Sequence, residues 1–293
     1  MRDGHETPRL WWGGWLGFSM GWRIASAARR ARDCTLGERP AGGGRRPLPG
    51  FVAPSTQEIR VTDNSLYDGY FEARDWSRDV SAENYWYYDE LRARCPIAAG
   101  SHVLEIGFGD GRFLDWCKAR SITPVGVEIL DQALNKARAL GHEVHAGPFT
   151  PDTLQPERSL DLIAMFDVAE HLTTAQLTTV LGDTLPHLAT GGKYLLRFPN
   201  GNSPFVGPIY RSDITHVNLL NAEAIGQIAR PLGLRVSDEF NDRLLPPGFV
   251  PRLKRRMTYG LRAVLQAVIG FAYFGRNLPL DPNVYVVLER RPT

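Results

Sequence analysis

Residues 103–113, VLEIGFGDGRF, constrain the fold of this chain more than any other stretch. Val103, Leu104 and Ile106 form an apolar run that predicts a strand buried on both faces of a parallel sheet. Three glycines follow it, and they allow a tight turn and a close ligand approach that a Cβ would obstruct. They are Gly107, Gly109 and Gly111. The next residues predict a helix whose N-terminal amides face the turn, which is typical of nucleotide binding.

The spacing of this turn restricts the nucleotide. A dinucleotide fingerprint has the form GxGxxG, whereas this turn has the form GxGxG, with Arg112 where the third glycine belongs. The turn does not end in the Gly-Lys-Ser or Gly-Lys-Thr of a phosphate-binding loop. Glu105, just before the turn, disfavours a pyrophosphate because it would bring two negative charges together. It suits a ligand with a cationic amino group.

These residues resemble the first motif of class I S-adenosylmethionine-dependent methyltransferases, which is an acid followed by GxGxG. The resemblance implies S-adenosylmethionine as the cofactor. Glu128 ends the second predicted strand, 17 positions after Gly111, where nucleotide-binding sheets place an acid that takes the ribose hydroxyls in two hydrogen bonds. No acid follows the third predicted strand until Asp152, so we expect the adenine to meet the backbone near Pro148 and Phe149. The expected cofactor-binding residues are Glu105, Gly107, Phe108, Gly109, Gly111, Glu128, Ile129, Phe149 and Asp167.

From residue 101 onward, apolar runs and helical patterns alternate along the chain. Strands are predicted at 101–107, 122–129, 143–146, 160–168, 193–198, 235–240 and 283–289. Helices are predicted at 111–119, 131–140, 173–188 and 222–232. We therefore expect a Rossmann-like α/β fold with a seven-stranded, mostly parallel sheet, helices on both faces, an antiparallel last strand and a helical insertion before it.

Composition sets the domain organisation. The 293 residues suffice for one sizeable core, and residues 1–50 hold nine arginines against four acids, which leaves a net charge of −3 for 51–293. We expect 1–50 to be a basic, Gly- and Arg-rich, disordered leader or the product of a start placed too far upstream, with a targeting segment as the alternative. Residues 51–293 then form the methyltransferase domain. Three cysteines without CxxC spacing favour a reducing, cytoplasmic compartment and no zinc site.

Two segments outside the sheet allow alternatives. The sequence predicts a helix that is capped by Ser81 and has Tyr85 and Tyr88 on its apolar face. The aromatic residues just before it, Tyr70, Phe71 and Trp76, form either a lid over the cofactor or part of the core. In the insertion, 241–282, apolar residues recur at helical spacing beside basic ones. Residues 252–274 can touch a membrane surface, but we favour packing on the domain or on a second subunit.

Acceptor chemistry is expected where the fourth and fifth strands end, at the carboxyl edge of the sheet. The order of EIGFGDGRFL, DVAEHL, PNGNSP and DITH is similar to that of methyltransferases encoded in bacterial surface-polysaccharide clusters, close to the quinone and small-molecule O-methyltransferases. This resemblance covers roughly residues 67–290. It implies O-methylation of a sugar or polysaccharide intermediate. The alternatives are a quinone, phenol or other small acceptor, and a non-catalytic cofactor-binding protein.

Methyl transfer to an alcohol needs an aligned acceptor and a base for its proton. His171 and His216 are the candidate bases, and we favour His216 because it lies on the acceptor-side loop. Asp167, Glu170 or Asp213 can orient either one. The expected catalytic residues are His216, His171, Asp167 and Asp213, and the expected substrate contacts are Asn200, Tyr210 and Arg211, the last of these pairing with a phosphate or carboxylate.

Two further ligand classes are not expected. We expect a site without a metal ion. The alternative is a divalent metal held by Glu170, His171 and a further acid, but an adjacent Glu and His are common in proteins that bind no metal. Nucleic acid is not expected as the substrate, because DNA amino-methyltransferases carry NPPY or DPPY after the fourth strand and this chain has DVAE.

Overall fold

The computed structural model describes residues 85–95 and 97–292, and the strands within them form a single seven-stranded sheet. The expected leader, the possible lid aromatics at 70, 71 and 76, and Ser81 lie outside the described residues. The strands are β1 (His102–Ile106), β2 (Thr123–Glu128), β3 (Glu143–Ala146), β4 (Leu160–Phe166), β5 (Leu188–Pro199), β6 (Leu234–Asn241) and β7 (Asn283–Arg290).

The strand order is β3-β2-β1-β4-β5-β7-β6. Strands β1 to β5 pair in parallel, and β7 is antiparallel to both of its neighbours, β5 and β6. The Rossmann-like sheet and its antiparallel last strand are thus confirmed. Because β1 lies between β2 and β4, the chain winds in opposite directions from this point, which is where open α/β sheets place their ligands.

The helices cover both faces of the sheet. They are α1 (Trp86–Arg92), α2 (Arg112–Ala119), α3 (Asp131–Ala139), α4 (Thr174–Thr184), α5 (Gly207–Tyr210), α6 (Ala222–Ala229) and α7 (Phe249–Ile269). Successive side chains of β1 point to opposite faces of the sheet and pack in two different hydrophobic clusters. Leu104 packs in the cluster that contains α4 and α6, and Val103 packs in the cluster that contains α1 and α2.

Several predicted elements differ from the observed ones at their ends. Helices α4 and α6 stop before Pro186 and Pro231, and a 3₁₀ turn replaces the last predicted turn of each. Strand β4 ends at Phe166, two residues early, because Asp167 has a left-handed φ of 57° and turns the chain into a 3₁₀ helix, Ala169–His171. Strand β5 begins at Leu188, which pairs with Leu160 ahead of an irregularity in the register.

The insertion leaves and rejoins the sheet at one edge. The end of β6 pairs with the start of β7 through Asn241 and Val284, and Asn283 lies opposite Pro199 at the end of β5. Since β5 runs parallel to β1 through β4, this is the carboxyl edge of the parallel strands. Within the described residues, no helix is both long and apolar enough to cross a membrane.

Candidate active site

The glycine turn joins β1 to α2 and takes its shape from neighbouring side chains as well as from its own sequence. Gly107 has a φ of 70°, and a Cβ there would lie 2.4 Å from Cγ2 of Val168, just beyond β4. Gly107 is therefore required by packing as well as by backbone geometry. Gly111 is the N-cap residue of α2, and a Cβ there would meet no atom of the described residues within 4 Å.

Glu128, at the end of β2, holds the turn in place. Its Oε2 accepts the Gly109 N–H at 2.9 Å, and its Oε1 accepts the N–H groups of Ile129 at 2.7 Å and Leu130 at 3.2 Å. Burial raises the pKa of Glu128, while these three hydrogen bonds act in the opposite direction. A carboxylate offers about four acceptor positions. This arrangement therefore leaves room for about one ribose hydroxyl, where the sequence suggested two hydrogen bonds.

Glu105 is the second acid of this half of the site. It lies on β1 with 4% of its surface exposed, and its Oε2 has no hydrogen-bond partner among the described residues. Burial raises its pKa well above the usual range, and the nearby Asp110 and Glu128 raise it further. A buried carboxyl without a partner is costly unless a cation neutralises it. The buried carboxyl of Glu105 therefore suits the amino group expected of S-adenosylmethionine.

Three other residues that were predicted to bind the cofactor are Phe108, Phe149 and Ile129, and their contacts are mostly with the protein itself. Phe108 is buried and packs in a cluster with Leu114 and Leu134. Phe149 is buried in the main core beside His187. Both rings face the core, so only the backbone of these residues can meet a ligand, as expected for Phe149. Ile129 is 40% exposed, and its N–H is bound to Glu128.

The acceptor half of the site forms where residues 213–216 meet the end of β4. His171 Nδ1 lies 2.8 Å from the Thr215 hydroxyl, which donates to Asp213 Oδ1 at 2.5 Å. Since the hydroxyl proton goes to Asp213, the hydroxyl oxygen accepts the proton of His171 Nδ1. The rings of His171 and His216 meet edge to face, 4.7 Å apart. The two candidate bases therefore form one pair.

His216 has a similar arrangement. Its Nδ1 donates to the Tyr210 carbonyl oxygen at 2.7 Å, and its ring packs against the Tyr210 ring. The side chain is 7% exposed, and Nε2 lies 3.9 Å from Glu170 Oε1. In both neutral histidines the Nδ1 proton is therefore committed, and Nε2 carries the lone pair that can accept a proton.

The pKa values of the two carboxyls beside this histidine pair, those of Glu170 and Asp213, are shifted in opposite directions. Glu170 is 1% exposed, and its Oε2 has no hydrogen-bond partner in the part of the chain that the structure describes. Burial, together with Asp167, raises its pKa well above the usual range. Burial also acts to raise the pKa of Asp213, but two hydrogen bonds from Thr215 and the charge interaction with His171 and His216 outweigh it, and the pKa is lowered. Asp213 is thus the ionised partner of the pair.

The structure does not give Asp167 the predicted role of orienting a histidine. Its carboxylate forms an ion pair with Arg197 of β5, which also binds Asp242 at 3.0 Å. The two Nδ1 atoms are held instead by Thr215 and by the carbonyl of Tyr210. Asp167 remains a predicted contact at the edge of the site. Arg197 and Thr215 were not among the residues predicted from the sequence, although an arginine inside the apolar strand KYLLRF was a signal for Arg197.

Asn200 also differs from its prediction as a substrate contact. Its Nδ2 donates to the carbonyl oxygens of Pro279 at 2.8 Å and Asp281 at 3.0 Å, and its Oδ1 accepts the N–H of Asn202 at 3.0 Å. The residue is 1% exposed. Its side chain therefore anchors the loop and has no donor left for an acceptor. Arg211 is exposed and stays a predicted acceptor contact.

One group of ligand atoms can hold a divalent cation. Among the described residues, Glu170, His171 and His216 each offer an atom within 4.8 Å of the other two. The sequence suggested a further acid as the third ligand, and the structure places a second histidine there. A set of two histidines and one glutamate suits zinc among the common cations.

The sheet order, the glycine turn and the two acids at the ends of β1 and β2 define a Rossmann-like methyltransferase fold. The chain belongs to the methyltransferase-domain family, whose sequence model matches residues 69–239. This range lies inside the domain expected at 51–293 and ends before the insertion. Family membership agrees with the S-adenosylmethionine cofactor expected from the glycine turn.

Solved structures share this fold at low sequence identity. A SAM-dependent methyltransferase from Archaeoglobus fulgidus is 19% identical with a TM-score of 0.50, covering 77% of this chain and 99% of its own. The mitomycin 7-O-methyltransferase MmcR is 14% identical with a TM-score of 0.50, covering 80% of this chain and 60% of its own. No curated protein matches the chain closely enough in sequence to count as a relative.

Proposed function

We propose that the protein is an S-adenosylmethionine-dependent O-methyltransferase whose acceptor is a hydroxyl of a sugar or polysaccharide intermediate. The observation that supports it most is the pair His171 and His216, whose Nδ1 atoms are both held as donors. This leaves two Nε2 atoms as proton acceptors at the edge of the sheet where the glycine turn lies.

Each half of the site has a separate task. S-adenosylmethionine supplies an electrophilic methyl group when bound. Glu105 receives the amino group of the donor, Glu128 takes a ribose hydroxyl, and the glycine turn admits the donor to close approach. These residues bind and orient, so their loss is expected to weaken binding of the donor before it affects chemistry.

His216 is the base in this proposal. An acceptor hydroxyl would give its proton to His216 Nε2 as its oxygen forms a bond to the methyl carbon, while the methyl–sulfur bond of the donor breaks and its electron pair stays on sulfur. The resulting imidazolium lies 3.9 Å from Glu170 Oε1 and near the ionised Asp213. Asp213 and Thr215 hold His171 in the orientation that packs against His216.

A quinone, phenol or other apolar acceptor is the second candidate. One observation favours it, which is a group of exposed apolar side chains on the loop around the histidine pair. These are Phe205, Ile214, Val217 and Leu219, between 45% and 82% exposed. Such a rim can receive an aromatic ring or a lipid-linked sugar.

Acceptor screening with labelled S-adenosylmethionine tests the proposal. We expect label transfer to a glycan or nucleotide-sugar hydroxyl, and His216→Ala should lower kcat by about 10²–10⁴-fold, the usual range for a general base. Calorimetry should show unchanged donor binding in this variant. His102→Ala, an exposed histidine at the start of β1, is the matched control and should retain full activity.

Each part of the proposal fails separately. Absence of donor binding by the unaltered protein would refute the assigned cofactor. Turnover of phenols or quinols but of no carbohydrate would select the second candidate. Full activity in both His216→Ala and His171→Ala would show that neither histidine is the base.

A further inference from the structure

Helix α7 packs its polar side against the domain. Its inward residues recur every three or four positions and share one face. Tyr259 donates its hydroxyl to the Leu244 carbonyl oxygen at 3.0 Å, Arg262 lies 3.5 Å from Asp281, and Gln266 accepts from Asn241 at 2.8 Å. Hydrogen bonds and ion pairs thus hold this helix, and none of its residues from 249 to 269 is buried.

The apolar side of α7 faces away from the domain. Its large side chains are strongly exposed, and they continue into the π-helical turn Gly270–Phe274 that follows. The exposed fractions are 47% for Leu253, 70% for Met257, 63% for Leu261, 61% for Val264, 59% for Val268 and 87% for Phe271. A surface helix normally buries such a stripe against its own core. The expected packing on the domain is therefore wrong for the apolar face.

The charge of this segment has one sign. Residues 249–276 contain six basic side chains and no acid. They are Arg252, Lys254, Arg255, Arg256, Arg262 and Arg276. Arg256 is exposed beside the apolar stripe, and Phe271 and Tyr273 are more than 80% exposed at its end. Aromatic side chains of this kind favour the headgroup level of a bilayer.

We propose that α7 and the turn 270–274 dock the protein on a membrane surface rich in anionic lipid. The apolar stripe enters the boundary between headgroups and acyl chains, and Lys254 and Arg256, which are exposed beside it, meet lipid phosphates. Arg252, Arg262 and Arg276 pair instead with the domain acids Glu90, Asp281 and Glu223. The helix lies in the plane of the surface, since no described helix can span a bilayer. This inference stands independently of the proposed methyl transfer.

Charge argues against the other occupants that the chain itself could supply. A second copy on this face would bring two basic segments without acids together. Residues 1–50, with nine arginines against four acids, would also be repelled. An anionic lipid surface matches both the apolar stripe and the sign of the charge.

The docking helix and the acceptor loop share one end of the molecule. Strands β6 and β7 carry the insertion at the carboxyl edge, where His171 and His216 also lie. The loop after α7 is bound to the acceptor side directly, because the Ser203 hydroxyl donates to the Leu280 carbonyl oxygen at 2.7 Å.

Vesicle co-sedimentation of the full chain tests the inference. Phosphatidylcholine vesicles with added phosphatidylglycerol should bind the protein at least about tenfold more tightly than phosphatidylcholine alone, and high salt should remove most of the difference. Met257→Gln with Val264→Gln should weaken binding at least about tenfold, because two apolar side chains no longer enter the lipid. Lys254→Gln with Arg256→Gln should weaken binding to the anionic vesicles selectively.

Leu140→Gln is the matched control, since Leu140 is 51% exposed just after α3, next to the opposite edge strand of the sheet. It should bind vesicles like the unaltered protein. Circular dichroism should report an unchanged fold in every variant, because the altered residues are exposed. Equal binding by the Met257→Gln, Val264→Gln variant would overturn the proposal and assign any lipid binding elsewhere. A dimer that this variant dissociates, without vesicle binding, would also overturn it in favour of a contact between copies.

Discussion

Substitution of Gly107 by alanine tests whether the glycine turn is shaped by Val168. The residue has a φ of 70°, and an added Cβ would lie 2.4 Å from Val168 Cγ2. A left-handed backbone costs an alanine about 1–2 kcal/mol. Displacing a packed side chain adds about 1–3 kcal/mol. We therefore expect Gly107→Ala to lower the free energy of unfolding by about 2–5 kcal/mol.

Gly111→Ala is the matched comparison, because Gly111 has a φ of 83° but an open space where a Cβ would lie. This variant should lose only the backbone part, about 1–2 kcal/mol. Adding Val168→Ala to Gly107→Ala should recover about 1–3 kcal/mol relative to the sum of the single changes. Urea unfolding of the ligand-free protein measures all four variants. Equal losses at the two glycines, or strict additivity with Val168→Ala, would refute the assigned contact.

Three other predictions follow from the buried polar groups. The folded state raises the pKa of Glu105 above its usual 4.5, so the free energy of unfolding should fall as the pH rises above that value. Glu105→Gln should remove this fall, which urea titrations at several pH values measure. The same variant should bind the methyl donor more weakly in calorimetry. Thr215→Val should lower kcat about tenfold by leaving His171 Nδ1 without its acceptor, with KM for the donor unchanged in steady-state assays. Arg197→Gln should cost about 1–3 kcal/mol in chemical denaturation, because it leaves the more buried Asp242 and the half-exposed Asp167 without their cation. A loss below about 1 kcal/mol would mean that these ion pairs behave as surface contacts.

The half of the site made by strand ends could be predicted from the sequence. Glu105 and Glu128 follow from strand and turn patterns, because parallel strands bring their carboxyl ends to one edge. The bonds that Glu128 makes to the turn could not be predicted in the same way. They depend on the exact backbone path of Gly109, and a glycine constrains that path less than any other residue.

The residues of the acceptor half could be predicted from the sequence, but the hydrogen bonds that join them could not. His171 and His216 are 45 positions apart along the chain, and only the folded loop shows that Thr215 links one of them to Asp213. The amphipathic pattern of residues 249–269 likewise fixes which side chains share a face. It cannot fix which face points outward, since that depends on the polar groups that the domain offers, such as Asn241 and Asp281.

The pairing of β6 with β7 makes the sheet largely independent of the length of the insertion that joins these two strands. Because Asn241 and Val284 are paired, the two ends of the insertion lie as close together as in a short β-turn. Changing the length of the chain between such fixed ends costs little loop-closure free energy. Leu244 and Leu278 are both buried, so the exchangeable part lies between them. The segment between Leu244 and Leu278 can therefore change in length or sequence with little effect on the stability of the sheet.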